Sequence, residues 1–288
     1  MNTCFFVSDL HGKMSRYEAL LKLIKKEKPD FLFMGGDLLP HRTMRRSRKQ
    51  EEEVNFVTEY LIPKFNRLKE TLECSYPEIF LIPGNDDEKT MFNAFMEGEK
   101  TDLWRSIHNQ CIVIGKYRIY GYGCVPPTPF MIKDWDRFDI SEDAPAGSIL
   151  PADGYHSTKP DHDPTKATIL NDLEALINDD PMEFGVFLFH SPPYQTFLDL
   201  AADYNQKPDQ FIKGTNVGSK AIRSLIDDRQ PFITMHGHIH ESARITGYWQ
   251  QTLGRTITFS AAHDGPELAL VKFELNDPLS ATRRLIKT

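Results

Sequence analysis

The stretch EIFLIPGNDDE, residues 78–88, joins an apolar run of strand length to a Pro-Gly turn, and then to an asparagine and two aspartates. The apolar run predicts a strand that is buried on both faces. Asn85, Asp86 and Asp87 therefore stand at the carboxyl end of that strand. In α/β sheets ligands bind in the crevice beyond the carboxyl ends of the strands. The stretch thus predicts both a core strand and a polar site at its end.

Seven further runs of this kind recur along the chain. They are CFFVS (4–8), DFLFMG (30–35), RIYGYG (118–123), GVFLFH (185–190), PFITMH (231–236), TITFSA (256–261) and LALVKFEL (268–275). Helical patterns lie between several of them, at 15–28, 52–72 with Pro63 as a kink, 166–179 and 219–228. Strands alternating with helices predict an α/β layered domain, and the late run from 256 to 275 predicts antiparallel pairs at its end.

Charge and composition limit the classes of function. A formal net charge of -7 over 288 residues argues against a general nucleic-acid or membrane-surface binder, because such binding needs a cationic face. The basic run HRTMRRSRKQ (41–50) is followed at once by acidic residues, which favours a solvated helix start. The first apolar run is too short for a signal peptide, and no stretch approaches the ~18 apolar residues of a membrane span. We therefore expect a cytoplasmic protein with no membrane partner.

Cysteines and prolines add two expectations. The four cysteines lie far apart without a C-x-x-C pair, so we expect reduced, mostly buried thiols rather than a disulfide framework or a zinc site. Residues 125–164 carry seven prolines and little periodicity, which predicts a long excursion, either a lid or a well-packed surface loop, from a single domain covering 1–288. The segment contains aromatic and basic side chains that we expect either to line a base- or lipid-accepting pocket or to anchor the segment to the core. They are Phe130, Trp135, Arg137, Phe138, Tyr155 and His156.

Acidic, amide and imidazole side chains stand at the carboxyl ends of five predicted strands. They are Asp9 and His11, Asp37, Asn85 and Asp86, His190, and finally His236, His238 and His240. Any one of them is compatible with an ordinary turn or helix-cap residue, but the set is expected to converge at one sheet edge. Hard oxygen donors with imidazoles and no nearby thiol suit divalent Mn, Fe, Zn or Co, and the set is too large for one ion. The sequence therefore predicts two divalent ions that share a bridging carboxylate.

The order of these motifs resembles that of the calcineurin-like metallophosphoesterases. The series is D-x-H (Asp9, His11), G-D (Gly36, Asp37), G-N (Gly84, Asn85), a strand-terminal His190 and G-H-x-H (Gly237, His238, His240). The resemblance implies the fold of that family, an α/β four-layer α/β/β/α sandwich of two mixed sheets flanked by helices. It also implies a metal centre in which Asp9, His11 and His240 bind one ion, Asn85, His190 and His238 bind the other, and Asp37 bridges them.

Phosphate esters are the substrates that such a centre favours. Paired divalent ions ~3.5–4 Å apart generate a bridging hydroxide near neutral pH and stabilise the attacking and leaving oxygens of an in-line displacement. The expected protein is thus a binuclear phosphoesterase acting on a small-molecule or nucleotide-like phosphodiester, with manganese as its metal in vitro. The alternatives are a catalytically weak metal-binding scaffold or protein-interaction module on the same fold, and a nuclease, which the acidic balance disfavours. The oligomeric state stays open.

Asp86 departs from the family pattern. Most members of the family that it resembles carry a histidine directly after the motif asparagine, and that histidine is thought to help protonate the leaving group. Asp86 is accordingly the catalytic candidate here, and the alternative is an acceptor that orients a histidine ligand. An ionised Asp86 would also disfavour dianionic substrates, which predicts a preference for phosphodiesters over monoesters.

Three neighbouring residues complete the candidate site. His263, which follows a late strand in FSAAHDGPE, is the candidate substrate-binding residue, with an ordinary turn histidine as the alternative. His236 is expected to pack or to support the ligands. Asp87 either caps the helix predicted in EKTMFNAFM (88–96) or supports a ligand.

Overall fold

Fourteen strands carry the architecture in a computed structural model, which describes residues 2–41, 55–202 and 214–288. They are β1 (Thr3–Val7), β2 (Phe31–Gly35), β3 (Glu78–Ile82), β4 (Arg105–Ser106), β5 (Gln110–Ile114), β6 (Tyr117–Tyr122), β7 (Gly185–Phe189), β8 (Leu200–Ala202), β9 (Gly214–Asn216), β10 (Ile233–His236), β11 (Gln250–Leu253), β12 (Thr256–Ser260), β13 (Leu268–Glu274) and β14 (Asp277–Ile286). The eight predicted runs correspond to β1, β2, β3, β6, β7, β10, β12 and β13. All eight form strands.

Two mixed six-stranded sheets hold most of these strands. The first has the order β14-β13-β1-β2-β3-β4, and β1 to β4 run parallel while β13 pairs antiparallel with both β1 and β14. The second has the order β11-β12-β10-β7-β6-β5, with β12, β10, β7 and β6 parallel and an antiparallel strand at each edge. Strands β8 and β9 form a separate antiparallel pair. The carboxyl ends of the parallel strands are where the polar motifs begin.

Alternate residues of the strands face two different cores. Phe6 and Phe33 belong to a cluster with Val186 and Met235 of the second sheet, so this core lies between the sheets. Phe273 of β13 and Phe259 of β12 meet across it with ring centroids 5.2 Å apart. Because side chains alternate along a strand, the neighbouring residues point outward to the helices.

Helices cover the outer faces. They are α1 (Met14–Glu27), α2 (Ile62–Leu72), α3 (Lys89–Phe92), α4 (Phe95–Glu99), α5 (Ile169–Ile177), α6 (Lys220–Arg229) and α7 (Ser242–Thr246). The buried stripe Tyr17, Leu20 and Ile24 of α1 joins the outer core together with Phe5 and Val7 of β1. This arrangement confirms the fold expected from the resemblance, two mixed sheets flanked by helices.

The helical pattern around Pro63 is interrupted just before that residue. Residues Val57–Leu61 form a π-helical turn, and α2 begins at Ile62, which places Pro63 in its first turn. Proline has no backbone N–H to donate, so the first turn of a helix tolerates it while the helix interior does not. Where the sequence predicts a kink, the chain changes from a π-helical turn to an α-helix. The start of this predicted pattern and most of the basic run at 41–50 lie outside the described residues.

The late run from 256 to 275 contains two strands of different sheets. β12 pairs with β10 and β11, whereas β13 pairs with β1 and β14. Both strands form antiparallel pairs, as expected there, but β12 and β13 do not pair with each other. The partner β14 was not predicted, because its sequence DPLSATRRLI alternates mostly exposed and half-buried positions at a sheet edge.

The excursion at 125–164 packs against the loop that follows β3 and contains Asp87. Trp135 is buried and donates its indole N–H to the backbone oxygen of Asp87. Asp134 accepts the backbone N–H of Lys89 at 2.8 Å, and so holds the start of α3. A fully buried ion pair joins Lys133 to Asp136. These contacts favour the packed-loop interpretation over the lid.

Two smaller expectations concern thiols and membranes. All four cysteines are free thiols, as the spacing predicts, but the expected burial holds only for Cys4 and Cys124, since Cys111 is half-buried and Cys74 is exposed. Within the described ranges, no helix combines the length and the apolar character that crossing a bilayer requires.

His108 predicts a measurable pH dependence of stability. Its Nδ1 accepts the backbone N–H of Gly123 at 3.0 Å, and burial and Arg137 lower its pKa to about 3. The unfolded chain binds the proton near pH ~6.5, so this contribution to stability is present above that pH and is lost as the pH falls toward 3. Going from pH 7 to pH 5 should cost about 1–2 kcal/mol of unfolding free energy from this residue. Urea unfolding at both pH values should show that loss reduced in His108→Asn, whose side-chain oxygen can keep the bond; an identical loss in both proteins would contradict the prediction.

Candidate metal centre

All seven predicted ligands follow parallel strands at the carboxyl-end edge of the two sheets. They are Asp9 and His11 after β1, Asp37 after β2, Asn85 after β3, His190 after β7, and His238 and His240 after β10. Five of them are buried, whereas His238 and His240 are half-buried. Residues from positions 9 to 240 thus meet at one edge of the sandwich, as the sequence predicts.

Left-handed backbone brings four of these side chains into the site. Positive φ angles are found at Asp9 (56°), His11 (48°), Asp37 (52°) and His238 (71°). Such a conformation costs an L-residue roughly 1–2 kcal/mol, and it persists where surrounding contacts fix it. Here the backbone N–H of Asp9 donates to Gly36 and that of His11 donates to Asp37, at 3.0 and 2.8 Å. The loops after β1 and β2 therefore hold each other in the strained geometry.

The glycine before Asn85 is required by close packing. A Cβ atom at Gly84 would lie 2.2 Å from Oδ1 of Asp37 and 2.7 Å from the His190 ring. Those distances are far below van der Waals contact, so any side chain would displace both predicted ligands. The G-N motif thus lets the β3 loop approach the β2 loop, and the backbone N–H of Asp86 then donates to Asp37 Oδ1 at 2.8 Å.

One group of donors contains Asp9, His11, Asp37 and His240. One ligand atom of each lies within 4.8 Å of the others. The Nε2 atoms of His11 and His240 are 3.1 Å apart, and Nε2 of His240 is 3.2 Å from Oδ1 of Asp9. Two imidazole nitrogens and two carboxylates therefore converge on one point.

The second group lies on the other side of Asp37. His190 Nε2 is 3.4 Å from Asp37 Oδ2 and 3.2 Å from the amide oxygen of Asn85. Nδ1 of His190 lies 2.8 Å from the backbone oxygen of Gly35, a bond that aims Nε2 at the site. The His238 ring lies with its centroid 5.1 Å from that of His190. Imidazole and amide donors thus gather here around the same carboxylate.

Neighbouring imidazoles favour the ionised form of both buried carboxylates. Burial opposes the charge on Asp37, but the neighbouring His190 outweighs it and holds the pKa of Asp37 well below its ordinary value. The converse effect raises the pKa of His190 to about 10 despite its burial. Burial likewise opposes ionisation of Asp9, yet the hydrogen bond with His240 lowers its pKa to about 2. Each buried carboxylate is thus paired with an imidazole, Asp37 with His190 and Asp9 with His240.

The donor set fits divalent metal ions. It combines carboxylate, amide and imidazole donors without a thiolate, which suits Mn, Fe, Zn or Co. His11 is 5% exposed, and its Nε2 faces Nε2 of His240 at 3.1 Å, so the lone pairs of both nitrogens can point at one ion. Metal binding requires neutral imidazoles, so His190 would give up its proton, and a divalent cation would then balance the charge of the two buried carboxylates.

Comparison with known proteins agrees with this geometry. The family model described as calcineurin-like phosphoesterase matches residues 3–242. The chain belongs to that family. A comparison with curated protein sequences gave no match.

Solved structures share the fold at low sequence identity. A protein of Thermus thermophilus is 14% identical with a TM-score of 0.55, and the match covers 99% of each chain. A dimetal phosphatase from Danio rerio is 12% identical with a TM-score of 0.51, over 94% of this chain and 91% of that one. At such identities the likeness concerns the fold, which the calcineurin-like phosphoesterase described here shares with both.

Asp86 lies at the rim of the site with two histidines. Its Oδ2 is 3.0 Å from Nε2 of His41 and 3.6 Å from Nδ1 of His11. The His41 ring stacks on that of His11, with centroids 4.9 Å apart and planes 7° apart. The hydrogen bond to Asp86 raises the pKa of His41. Asp86 therefore has an imidazole partner, which the sequence did not indicate.

Asp87 braces the loop that carries Asp37. Its carboxylate is fully buried and accepts the backbone N–H groups of Leu38, Leu39 and Gly84 at 2.8–3.1 Å. The helix-cap alternative is wrong, because Asp134 accepts the first N–H of α3 instead. The supporting role is confirmed. Burial and the charge of Asp37 raise the pKa of Asp87 to about 7, against the effect of these three donors.

The other two histidine predictions differ in outcome. His236 is completely buried, and its ring nitrogens bind the backbone oxygen of Ser191 and the hydroxyl of Thr234, so its packing role is confirmed. His263 Nε2 lies 3.1 Å from Glu267 in the loop before β13. Its substrate-binding role stays a prediction.

Sequence reasoning missed two residues of this region. His41 was included in a basic run with the properties of a solvated helix start, although it stands only four positions after Asp37. Arg16 of α1 is 3% exposed and donates to the backbone oxygens of Asp9 and Gly265, so it ties the β1 loop to the loop that carries His263. Arg16 lies seven positions after Asp9, with a turn between them, and this spacing matches no motif that would indicate the contact.

Proposed function

We propose that this calcineurin-like phosphoesterase is a binuclear enzyme that hydrolyses a small-molecule or nucleotide-like phosphodiester with two divalent metal ions. Manganese is the metal that we expect to support activity in vitro. Asp9, His11 and His240 would hold one ion, and Asn85, His190 and His238 the other. Asp37 would bind both.

The position of Asp37 carries this proposal. Its Oδ2 is 3.9 Å from Nε2 of His11 in one donor group and 3.4 Å from Nε2 of His190 in the other. A single buried carboxylate between two sets of imidazoles has the arrangement that a bridging ligand needs. Asn85 supports the same assignment, because its amide oxygen adds a ligand to the second group without another negative charge.

When bound, paired divalent ions supply Lewis-acid stabilisation of phosphoryl oxygens and a water of lowered pKa. The chain's contribution is to hold the donors rigidly. Asp87 fixes the β2 loop through three backbone N–H groups, and Arg16 fixes the β1 loop through the Asp9 carbonyl. Such fixed orientation is what allows a preorganised site to stabilise developing charge without reorganisation.

The preference for diesters rests on Asp86. Its carboxylate lies beside His11 and its N–H binds Asp37, so it borders the space where a phosphoryl group would sit. A negative charge there repels a monoester dianion more than a diester monoanion. The partner His41 offsets part of that repulsion, so the preference should be moderate.

The decisive experiment is metal-dependent hydrolysis by the purified protein. With added Mn2+, a chromogenic phosphodiester should be cleaved faster than its monoester counterpart, and removal of metal by a chelator should abolish turnover until Mn2+ is restored. A tenfold preference for the monoester at neutral pH would contradict the diester assignment. Two bound ions without turnover of either ester would favour the metal-binding scaffold.

A further inference from the structure

Two exposed aromatic rings stack on each other beside the start of β11. Phe197 lies in the loop between β7 and β8, and Tyr248 lies between α7 and β11. Their ring centroids are 4.5 Å apart and their planes 21° apart, while the side chains are 45% and 53% exposed. A single exposed aromatic residue is ordinary on a protein surface, but two stacked rings offer a flat apolar face to a ligand.

The loop that carries Phe197 is fixed by hydrogen bonds. The backbone N–H of Phe197 donates to Oε1 of Gln251 at 2.9 Å. The fully buried carboxylate of Asp199 accepts the backbone N–H groups of Gln195 and Thr196, at 3.0 and 2.8 Å. A ring that is presented by an ordered backbone loses little conformational entropy when a ligand stacks on it.

A cavity of about 340 Å³ adjoins the Tyr248 ring. It is lined by residues 247–252, which include Trp249 and the amides of Gln250 and Gln251 but no charged side chain. Aromatic rings stack on the flat face of a nucleobase, and amide side chains donate to and accept from its polar edge. A lining that is aromatic, amide-bearing and uncharged fits a neutral base better than a phosphate group.

The aromatic pair lies at the same edge of the second sheet as the metal centre. Gln250 begins β11 and pairs with Phe259 near the carboxyl end of β12, and β12 separates β11 from β10. Since neighbouring strands are ~4.8 Å apart, the start of β11 lies about 10 Å from the end of β10, which His238 and His240 follow. A nucleotide carries a sugar between its base and its phosphate, so one molecule can reach both places.

We propose that Tyr248 and Phe197 bind the nucleobase of a nucleoside phosphodiester whose phosphate lies at the metal centre. The inference rests on the proposed phosphoesterase function and narrows its substrates to nucleotides. The base stacks on the aromatic pair, and the Gln250 amide meets its polar edge. Because every base has a flat π-face, we expect little preference among the bases.

The test compares two phosphodiesters that release the same p-nitrophenol. Thymidine 5′-p-nitrophenyl phosphate carries a base, and methyl p-nitrophenyl phosphate does not. With Mn2+, the wild-type protein should cleave the thymidine ester with the higher kcat/KM. Tyr248→Ala should lower kcat/KM about 10-fold for the thymidine ester, because it removes one stacking ring, and less than about 2-fold for the methyl ester.

Two further variants separate stacking from a structural effect. Tyr248→Phe keeps the ring and should behave as wild type with both esters. The control for position is Val113→Ala, because Val113 is 60% exposed on β5, the strand at the opposite edge of the same sheet. It should leave the hydrolysis of both esters unchanged.

Binding of the base can also be measured without turnover or metal. In saturation-transfer difference NMR with thymidine, the base protons should receive saturation from the wild-type protein and from Tyr248→Phe. Tyr248→Ala should reduce that transfer strongly.

The inference is wrong if Tyr248→Ala lowers kcat/KM equally for both esters, or if the wild-type protein transfers no saturation to the base protons. It is also wrong if Phe130→Ala in the excursion removes the preference for the thymidine ester while Tyr248→Ala keeps it. If the wild-type protein with bound Mn2+ cleaves neither ester, the proposed function fails, and the NMR experiment alone then decides whether the aromatic pair binds a base.

Discussion

Asp37→Asn should lower kcat/KM for a phosphodiester by about a thousandfold or more while the protein stays folded. The carboxylate is 2% exposed and lies between both donor groups, 3.4 Å from His190 and 3.9 Å from His11. The amide keeps the shape but removes one negative charge and one oxygen donor. Both proposed ions would lose a ligand, so the variant should bind them more weakly. Metal titration and the diester assay, each with Mn2+, measure the two effects.

The control for Asp37→Asn is Asp163→Asn in the excursion. Asp163 is a carboxylate that accepts local hydrogen bonds, from the backbone and hydroxyl of Thr165. That change should leave both metal binding and turnover as in wild type. Thermal unfolding of both variants shows whether the fold is retained. A folded Asp37→Asn protein with wild-type turnover would contradict a bridging role and with it the binuclear assignment.

The fold was predictable where apolar runs are fully buried. β1, β2, β3 and β7 lie inside the sheets with buried residues at nearly every position, so the sequence alone indicates them. The edge strands β4, β5, β11 and β14 have mixed exposure and no such pattern. Sheet membership is harder still, because β12 and β13 follow each other but belong to different sheets. Which strand each joins depends on contacts with residues far away in the sequence.

The site was predictable to the extent that its residues follow strands. Each predicted ligand stands within a few positions of a strand end, so the parallel order brings the ligands together. His41 could not be found this way, because its stacking on His11 and its bond to Asp86 join three separate loops. The same holds for Asp87, where a local helix cap and a brace for the β2 loop were equally compatible with the sequence. Burial and three backbone donors decided in favour of the brace.

Asp86→Asn should raise the ratio of monoester to diester kcat/KM about tenfold. At ~5 Å and an effective dielectric of about 20, each extra negative charge on the phosphate costs roughly 3 kcal/mol beside an ionised carboxylate. That figure applies to a carboxylate without a partner. Here His41 lies 3.0 Å from Asp86 and offsets part of the charge, so the expected change is smaller than a hundredfold. Steady-state kinetics with matched monoester and diester substrates at neutral pH measure the ratio.

The two partners of this pair should shift ester selectivity in opposite directions. His41→Asn removes the imidazole that lies 3.0 Å from the Asp86 carboxylate and shields its charge, so the monoester should become relatively poorer, whereas Asp86→Asn removes the repulsion itself. A substitution that only disturbed the geometry of the site would lower kcat/KM for both esters together and leave the ratio of the two values unchanged. An unchanged ratio in Asp86→Asn would therefore mean that Asp86 acts only as an acceptor for His41. Opposite shifts would mean that its charge selects between the two classes of ester.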